Sequence, residues 1–202
     1  MAGYYFRLPT WEELTPAQRA AINDPEQIAL SGGPGTGKSV VSMWRHIFNY
    51  EQHHRSLLLT YTTTLERYLE ACCRGKSASA AQQVGTSLRN RSFIQYQAYS
   101  EVIIDEAQDL DNEYFEDICS PVSYGADNSQ ILYPDHSSTE EELSNIFPGN
   151  AQHVLQKNFR CTKEIMLFAK QVFDEAAISY SMINRIDKIG DKPTLIVGSW
   201  DR

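Results

Sequence analysis

Apolar and polar positions along this chain alternate between two patterns, short continuous apolar runs and apolar residues spaced three and four apart. Short runs are typical of strands buried on both faces of a parallel sheet, whereas the wider spacing is typical of amphipathic helices. Val41, Trp44 and Ile47 illustrate the helical spacing. The apolar runs predict strands near residues 27–31, 55–61, 102–105, 121–125, 153–155 and 194–197.

Helical spacing recurs between these strands. A short first helix is expected after Thr15, because threonine is a favoured N-cap and Pro16 suits the first helical position. The small-residue stretch 77–81 is expected to be a mobile loop. Strands that alternate with helices predict an α/β fold, a parallel sheet with helices on both faces that binds ligands at the carboxyl ends of its strands. The later helices are predicted over 38–50, 63–73, 112–119, 140–147 and 162–176.

Composition mainly excludes classes of protein. Hydrophobic residues make up 42% of the 202 residues and charged residues 22%, which is ordinary for a globular domain. We expect one domain over residues 1–202 and a cytoplasmic location with no membrane partner, since neither a leader nor an apolar run of about 18 residues occurs. The net charge of −8 argues against tight non-specific binding of nucleic acid but is compatible with a local basic groove. Free thiols are expected at Cys72, Cys73, Cys119 and Cys161, whose spacing matches no zinc site.

Residues 32–39 read Gly-Gly-Pro-Gly-Thr-Gly-Lys-Ser, between a predicted strand and a predicted helix. Glycine lets the backbone N–H groups approach a phosphate chain closely, and the helix that follows presents the positive end of its dipole. This loop predicts ATP and Mg²⁺ as cofactors, with the Lys38 ammonium on the β and γ phosphates and the Ser39 hydroxyl on the metal. The predicted nucleotide-binding residues of the loop are Gly33, Pro34, Gly35, Thr36, Gly37, Lys38 and Ser39.

Two acids follow the predicted strand 102–105, at the edge where a parallel sheet binds its ligand. Asp105 is suited to hold Mg²⁺, and Glu106 to orient and deprotonate an attacking water. Acids also favour helix N-termini, so a solvated helix start is the alternative interpretation for this pair.

Asp105-Glu106-Ala107-Gln108-Asp109 resembles the DEAQD box of superfamily 1 helicases of the UvrD/Rep type. The resemblance implies a P-loop NTPase with the RecA-like fold, an ATPase that acts as a helicase, and single-stranded DNA or RNA as a partner. Lys38, Asp105 and Glu106 would then be catalytic.

Segments 14–18 and 156–160 are similar to the Q motif and motif IV of the same family. The first similarity implies that Gln18 reads the edge of adenine. The second implies that Phe159 stacks on the base and that Arg160 contacts the γ phosphate.

Segments 60–65 and 126–133 resemble motifs Ia and III of that family. Motif III implies that Gln130 senses the γ phosphate. The candidate nucleic-acid contacts are Thr62, Thr63 and Tyr133.

The chain also departs from the family pattern. Ala126 stands where motif III usually has glycine, and Val40 stands where many members carry arginine. About thirty residues separate Leu69 from Glu101, too few for the family's inserted helical subdomain. Motifs V and VI of the second RecA-like domain are missing, so we expect that domain as a partner and slow turnover without it.

Two other functions remain open. A stand-alone nucleotide-dependent switch is favoured by the acidic charge and the missing insertion. A small-molecule kinase is disfavoured, because the arginines are scattered and no arginine-rich lid is evident.

Overall fold

A computed structural model describes residues 7–116, 118–131, 134–173 and 178–195. Its strands are β1 (Ile28–Ser31), β2 (Ser56–Thr60), β3 (Val84–Thr86), β4 (Glu101–Ile104), β5 (Val122–Gly125) and β6 (Ala151–Val154). Its helices are α1 (Pro16–Asn23), α2 (Lys38–Glu51), α3 (Thr63–Arg74), α4 (Ala78–Ala81), α5 (Ser87–Tyr96), α6 (Asn112–Glu116), α7 (Glu140–Ile146), α8 (Lys163–Val172) and α9 (Tyr180–Asn184).

The strands form one parallel sheet in the order β3-β2-β4-β5-β1-β6. β1 lies between β5 and β6, with Ala29 opposite Tyr124 and Ile28 opposite Ala151. Five of the predicted strands are confirmed with small shifts at their ends. The sixth is not, because Thr194 and Leu195 have no regular structure; residues 196 and 197 lie outside the described part of the chain.

Helices cover both faces of the sheet, as predicted. Within β2, Leu58 packs into the core under α1 to α4, whereas Leu57 and Leu59 pack into the core formed with α5, α6 and α7. Successive residues of a strand point to opposite faces, so the apolar run of β2 serves two cores.

The segment between Leu69 and Glu101 differs from expectation. Residues 77–81 are not a mobile loop: the Ser77 hydroxyl caps α4 by accepting a hydrogen bond from the Ala80 N–H (3.2 Å), and Ala80 is fully buried. β3 and α5 were also missed. β3 has only three residues, with Gly85 in the middle, and α5 buries only Ser87 and Ile94, so neither element has a strong periodic pattern.

α8 and α9 form a third apolar cluster, separate from the two cores that flank the sheet. The predicted helix 162–176 is confirmed over Lys163–Val172, with Thr162 as its N-cap. Residues 174–177 lie outside the described part. No helix in the described ranges is long and apolar enough to cross a membrane.

Candidate nucleotide site

The loop between β1 and α2 adopts a conformation that requires glycine at two positions. Gly35 has φ 74° and Gly37 has φ 91°, in the left-handed region that L side chains rarely adopt. A Cβ on Gly35 would lie 2.7 Å from the Cβ of Arg160, and one on Gly37 would lie 2.5 Å from Nε2 of Gln18. The loop therefore has room only for its own backbone at both places.

Side chains around the loop hold this shape. The Thr36 hydroxyl donates to the Gly33 carbonyl (2.8 Å). The Asn158 amide donates to the Pro34 carbonyl. Both carbonyls thus accept hydrogen bonds from side chains of the protein. Gly33 and Pro34 therefore help to fix the conformation of the loop.

Gln18 connects the loop to α1. Its side-chain oxygen accepts the Thr15 N–H (2.9 Å) in a capping box, and its Nε2 donates to the Thr36 carbonyl (3.2 Å). Gln18 is buried and lines the cavity beside the loop. Its hydrogen bonds position the loop, which adds a structural role to the adenine contact that the sequence implied.

Lys38 begins α2 and is 5% exposed. Its ammonium donates to the Gly32 carbonyl (2.7 Å) and to Oδ2 of Asp127 (3.3 Å). A buried ammonium needs such partners, because desolvation without them is costly. The cation is held at the start of the helix, where phosphate groups bind in loops of this type.

Asp105 follows β4 and lies directly beneath the loop. Its Oδ1 accepts the Ser42 hydroxyl (3.2 Å), whereas its Oδ2 is buried with no hydrogen-bond partner. Burial, followed by the Glu106 charge, raises the pKa of Asp105 to about 7. Hydrogen bonds from Ser39 and Ser42 and the charge of Lys38 lower this pKa, but their effect is smaller. The uncompensated oxygen marks a place where a cation would be stabilised.

Ser39 and Asp105 fit the ligand chemistry of Mg²⁺, which takes oxygen ligands and usually keeps several water and phosphate oxygens. A hydroxyl and one carboxylate oxygen suffice for a metal that is carried in with a nucleotide. No cluster of three or more His, Cys, Asp or Glu side chains suited to a metal occurs in the described residues, so a site made by protein alone is not indicated there.

Glu106 has φ 58°, a left-handed conformation that is unusual for a residue other than glycine. Its Oε2 accepts a hydrogen bond from Nε2 of Gln108 (2.9 Å), and its side chain lines the cavity. Such backbone strain is concentrated at functional sites, where the surrounding structure imposes it. Burial, followed by the Glu106 charge, raises the pKa of Asp109 to about 6.

Segments after β5 and β6 complete the wall of the cavity. Gln130 donates from Nε2 to Oδ2 of Asp127 (2.7 Å). The backbone N–H of Phe159 donates to the Gly35 carbonyl (2.9 Å), which places Phe159 and Arg160 against the loop. The structure thus brings residues from four distant segments to one edge of the sheet.

The cavity at this edge has a volume of about 590 Å³, within the range of small-molecule sites. The predicted residues that line it are Gln18, Gly35, Thr36, Gly37, Lys38, Ser39, Glu106, Gln130, Phe159 and Arg160.

The predicted nucleic-acid residues lie nearby on the surface. Thr62 is the N-cap of α3, its hydroxyl accepting the Leu65 N–H (3.2 Å), and Thr63 is the first residue of that helix; both are exposed. They follow β2, at the same edge of the sheet as the cavity. Tyr133 lies outside the described residues.

Sequence reasoning missed several side chains at or beside the cavity, among them Asp127, Tyr68 and Arg7. Asp127 contacts Lys38, and its signal was its position two residues after the end of a strand. Tyr68 lines the cavity from α3, one turn after Leu65, and its pKa is raised by burial. Arg7 also lines the cavity and pairs with Glu13 (2.8 Å), and no pattern in the sequence indicated this position.

Comparison with solved structures identifies the fold. No protein-family model matches the sequence, and no curated protein matches it. The Pif1 helicase from Candida albicans superposes with a TM-score of 0.55 at 14% identity, over 77% of this chain and 43% of that one. Bacteroides Pif1 bound to ssDNA gives a TM-score of 0.51 at 11% identity, over 85% and 48%. A structure of two coordinating Pif1 helicases on forked dsDNA also gives 0.51 at 11% identity, over 85% and 50%.

These similarities confirm the predicted α/β fold, the RecA-like fold of P-loop ATPases. The chain spans about half the length of the Pif1 chains that it matches.

Proposed function

We propose that this chain is the ATP-binding and ATP-hydrolysing first motor domain of a superfamily 1 helicase of the UvrD/Rep type. Joined to a second RecA-like domain, it would couple Mg-ATP hydrolysis to movement along single-stranded DNA or RNA. The observation that carries the proposal is the convergence of Lys38, Glu106, Gln130 and Arg160 on one cavity, with Asp105 beneath it.

Each residue has a role that its position supports. The Lys38 ammonium, at the start of α2, binds the β and γ phosphates. Glu106 faces the cavity and accepts a proton from the attacking water. Gln130 and Arg160 approach from separate segments and stabilise the charge that develops on the γ phosphate.

Ser39 and Asp105 would hold Mg²⁺, which when bound neutralises phosphate charge and orients the triphosphate. Phe159 lines the cavity and is 46% exposed, so its ring is available for stacking on the base. Thr62, Thr63 and Tyr133 would contact the nucleic-acid backbone or bases.

Two variants test the nucleotide site. Lys38→Ala should weaken binding of a non-hydrolysable ATP analogue by at least about tenfold, because a charge-assisted contact is lost. Glu106→Gln should bind nearly as wild type but lose single-turnover hydrolysis by about 10²-fold or more. Isothermal titration and product assay give the two readouts.

The control is Lys192→Ala, which removes an exposed lysine distant from the loop in sequence and should leave both readouts unchanged. Unaltered analogue binding by Lys38→Ala would contradict the proposed site. Normal hydrolysis by Glu106→Gln would remove Glu106 from the role of base.

The net charge of −8 supports a second candidate, a nucleotide-dependent switch that does not translocate. The two functions differ in nucleic-acid binding. Filter binding with single-stranded DNA and RNA at low salt separates them, since a motor requires phosphate contacts whose affinity falls steeply with salt. Nucleotide binding without any strand binding would favour the switch.

A further inference from the structure

Asp127 joins the three segments that surround the phosphate end of the cavity. Its Oδ2 accepts hydrogen bonds from both the Lys38 ammonium (3.3 Å) and Nε2 of Gln130 (2.7 Å). Its backbone N–H donates to Oε1 of Gln108 (3.2 Å), whose own Nε2 donates to Glu106. Through its carboxylate and its backbone N–H, the fully buried Asp127 thus connects Lys38 with Gln130 and with Gln108.

The rest of Asp127 is fixed by its own loop. Its Oδ1 accepts the Ser129 N–H (3.0 Å) and the Ser129 hydroxyl (2.6 Å). Four donors therefore converge on the carboxylate, which explains how a negative charge is tolerated without solvent. Among these donors Lys38 makes the longest contact, and it is the one that a phosphate would also attract.

A phosphate chain in the loop brings at least two negative charges to the Lys38 ammonium. Asp127 then becomes a like charge beside the ligand in a site of low dielectric, where such repulsion is strong. The carboxylate keeps three donors from Gln130 and Ser129 when the ammonium turns away, so the exchange leaves no buried charge without hydrogen bonds.

We propose that Asp127 is the internal counter-ion of Lys38 in the phosphate loop; its carboxylate competes with nucleotide phosphates for the Lys38 ammonium and lowers the affinity of the site. This inference rests on the proposed nucleotide function, which it deepens. Asp127 is a positioning residue in this role, since it acts through Lys38 and not on the ligand.

The sign of the effect makes the proposal testable. Asp127→Asn keeps the size of the side chain and an acceptor oxygen but removes the competing charge. ADP affinity should rise by about tenfold or more, because one unit charge near a phosphate in a partly buried site has at least that effect. A merely structural role for Asp127 predicts the opposite, weaker binding by a distorted loop.

ADP is the suitable probe, because it lacks the γ phosphate that Gln130 is proposed to sense. Gln130→Met serves as the second variant. It removes one of the two donors to Oδ2, which strengthens the hold of Asp127 on Lys38, so ADP affinity should fall or stay unchanged. Only Asp127→Asn removes the competing charge, so only that variant should bind ADP more tightly than wild type.

The matched control is Asp24→Asn. Asp24 also accepts from a basic side chain, His153 (2.9 Å), but it precedes β1 and does not line the cavity. Isothermal titration with ADP should give the same affinity for this variant as for wild type. Thermal unfolding of each variant reports whether it is folded.

The outcomes separate the two proposals. The inference is supported if Asp127→Asn binds ADP more tightly than wild type. It is also supported if Asp127→Asn binds ADP and wild type shows no detectable binding. Equal or weaker binding by folded Asp127→Asn, or tighter binding by Gln130→Met, overturns the inference and leaves the proposed nucleotide site intact. If wild type and all variants fail to bind ADP, both proposals are wrong.

Discussion

Gly35 shows how a single residue determines the shape of the site. Its backbone lies at φ 74°, and the Cβ of Arg160 and the amide nitrogen of Asn158 occupy the space that a side chain would need. The same close approach brings Arg160 to the cavity. Space and dihedral angle thus both disfavour any residue with a Cβ.

Gly35→Ala should lower the free energy of unfolding by about 1–2 kcal/mol, the cost of a left-handed L residue, and weaken ADP binding by about tenfold. Chemical denaturation and isothermal titration measure the two effects. Gly149→Ala is the control, because its Cβ would meet nothing within 4 Å. Equal stability and equal ADP affinity of the two variants would show that neither the dihedral angle nor the space at Gly35 requires glycine.

Site residues were predictable where a local pattern encodes them. Lys38 and Ser39 follow from the spacing of the glycines, and Asp105 follows from the end of an apolar strand. Asp127 and Tyr68 were missed because their importance depends on which side chain lies opposite, and that is decided by the order of strands in the sheet.

At the scale of elements, α2 and β4 are joined by a buried ion pair. Nε of Arg45 donates to Oε1 of Glu101 (2.7 Å), and Asn49 donates to Oε2 (2.6 Å). Arg45 also donates to the carbonyls of Asp24 (2.8 Å) and Glu26 (2.6 Å), which fixes the connection from α1 to β1. All of these contacts lie away from the cavity and hold the sheet against α2.

Glu101→Gln should lower the free energy of unfolding by about 3 kcal/mol, because it leaves the buried Arg45 charge without a counter-ion. Urea denaturation measures the change. Glu70→Gln removes the partner of Arg74 in a pair on the surface of α3, where the expected loss is under about 1 kcal/mol. Similar losses of unfolding free energy in both variants would show that the buried pair stabilises the protein no more than the surface pair does.

The central strands with continuous apolar runs were predicted correctly. β2 and β4 carry continuous buried runs, so their position was clear from the sequence. α4 was mistaken for a loop because four small residues give little periodic signal, and its burial comes from neighbouring helices.

For the whole molecule, stability should depend on the protonation of His46. Its Nε2 lies 2.9 Å from the Ala80 carbonyl and its Nδ1 lies 2.8 Å from the Ser56 hydroxyl, so a neutral ring satisfies both. Burial lowers the pKa of His46 to about 4 from 6.5. The unfolded chain therefore binds this proton first, and stability is lost as the pH falls from about 6.5 towards 4.

Wild type should lose about 2 kcal/mol more than His46→Gln between pH 8 and pH 5, since 1.5 pH units below the unfolded pKa correspond to about that energy. The raised pKa values of Asp105 and Asp109 act in the opposite direction, and they are common to both proteins. Urea titrations at both pH values give the difference. Parallel pH dependence of the two proteins would exclude His46 as its source.

The position of β1 in the sheet has a consequence for how the protein acquires its site. Leu30 pairs with Gly125 and with His153. β1, which leads into the phosphate loop, therefore pairs with β5 and β6, two strands that are synthesised much later. Pairings between residues far apart in sequence slow folding, because the chain loses conformational entropy before the stabilising contacts form. A ribosome-bound chain that ends before β6 lacks Asn158 and Arg160 and cannot close the loop. Ligand affinity should therefore arise abruptly, once β6 has paired with β1.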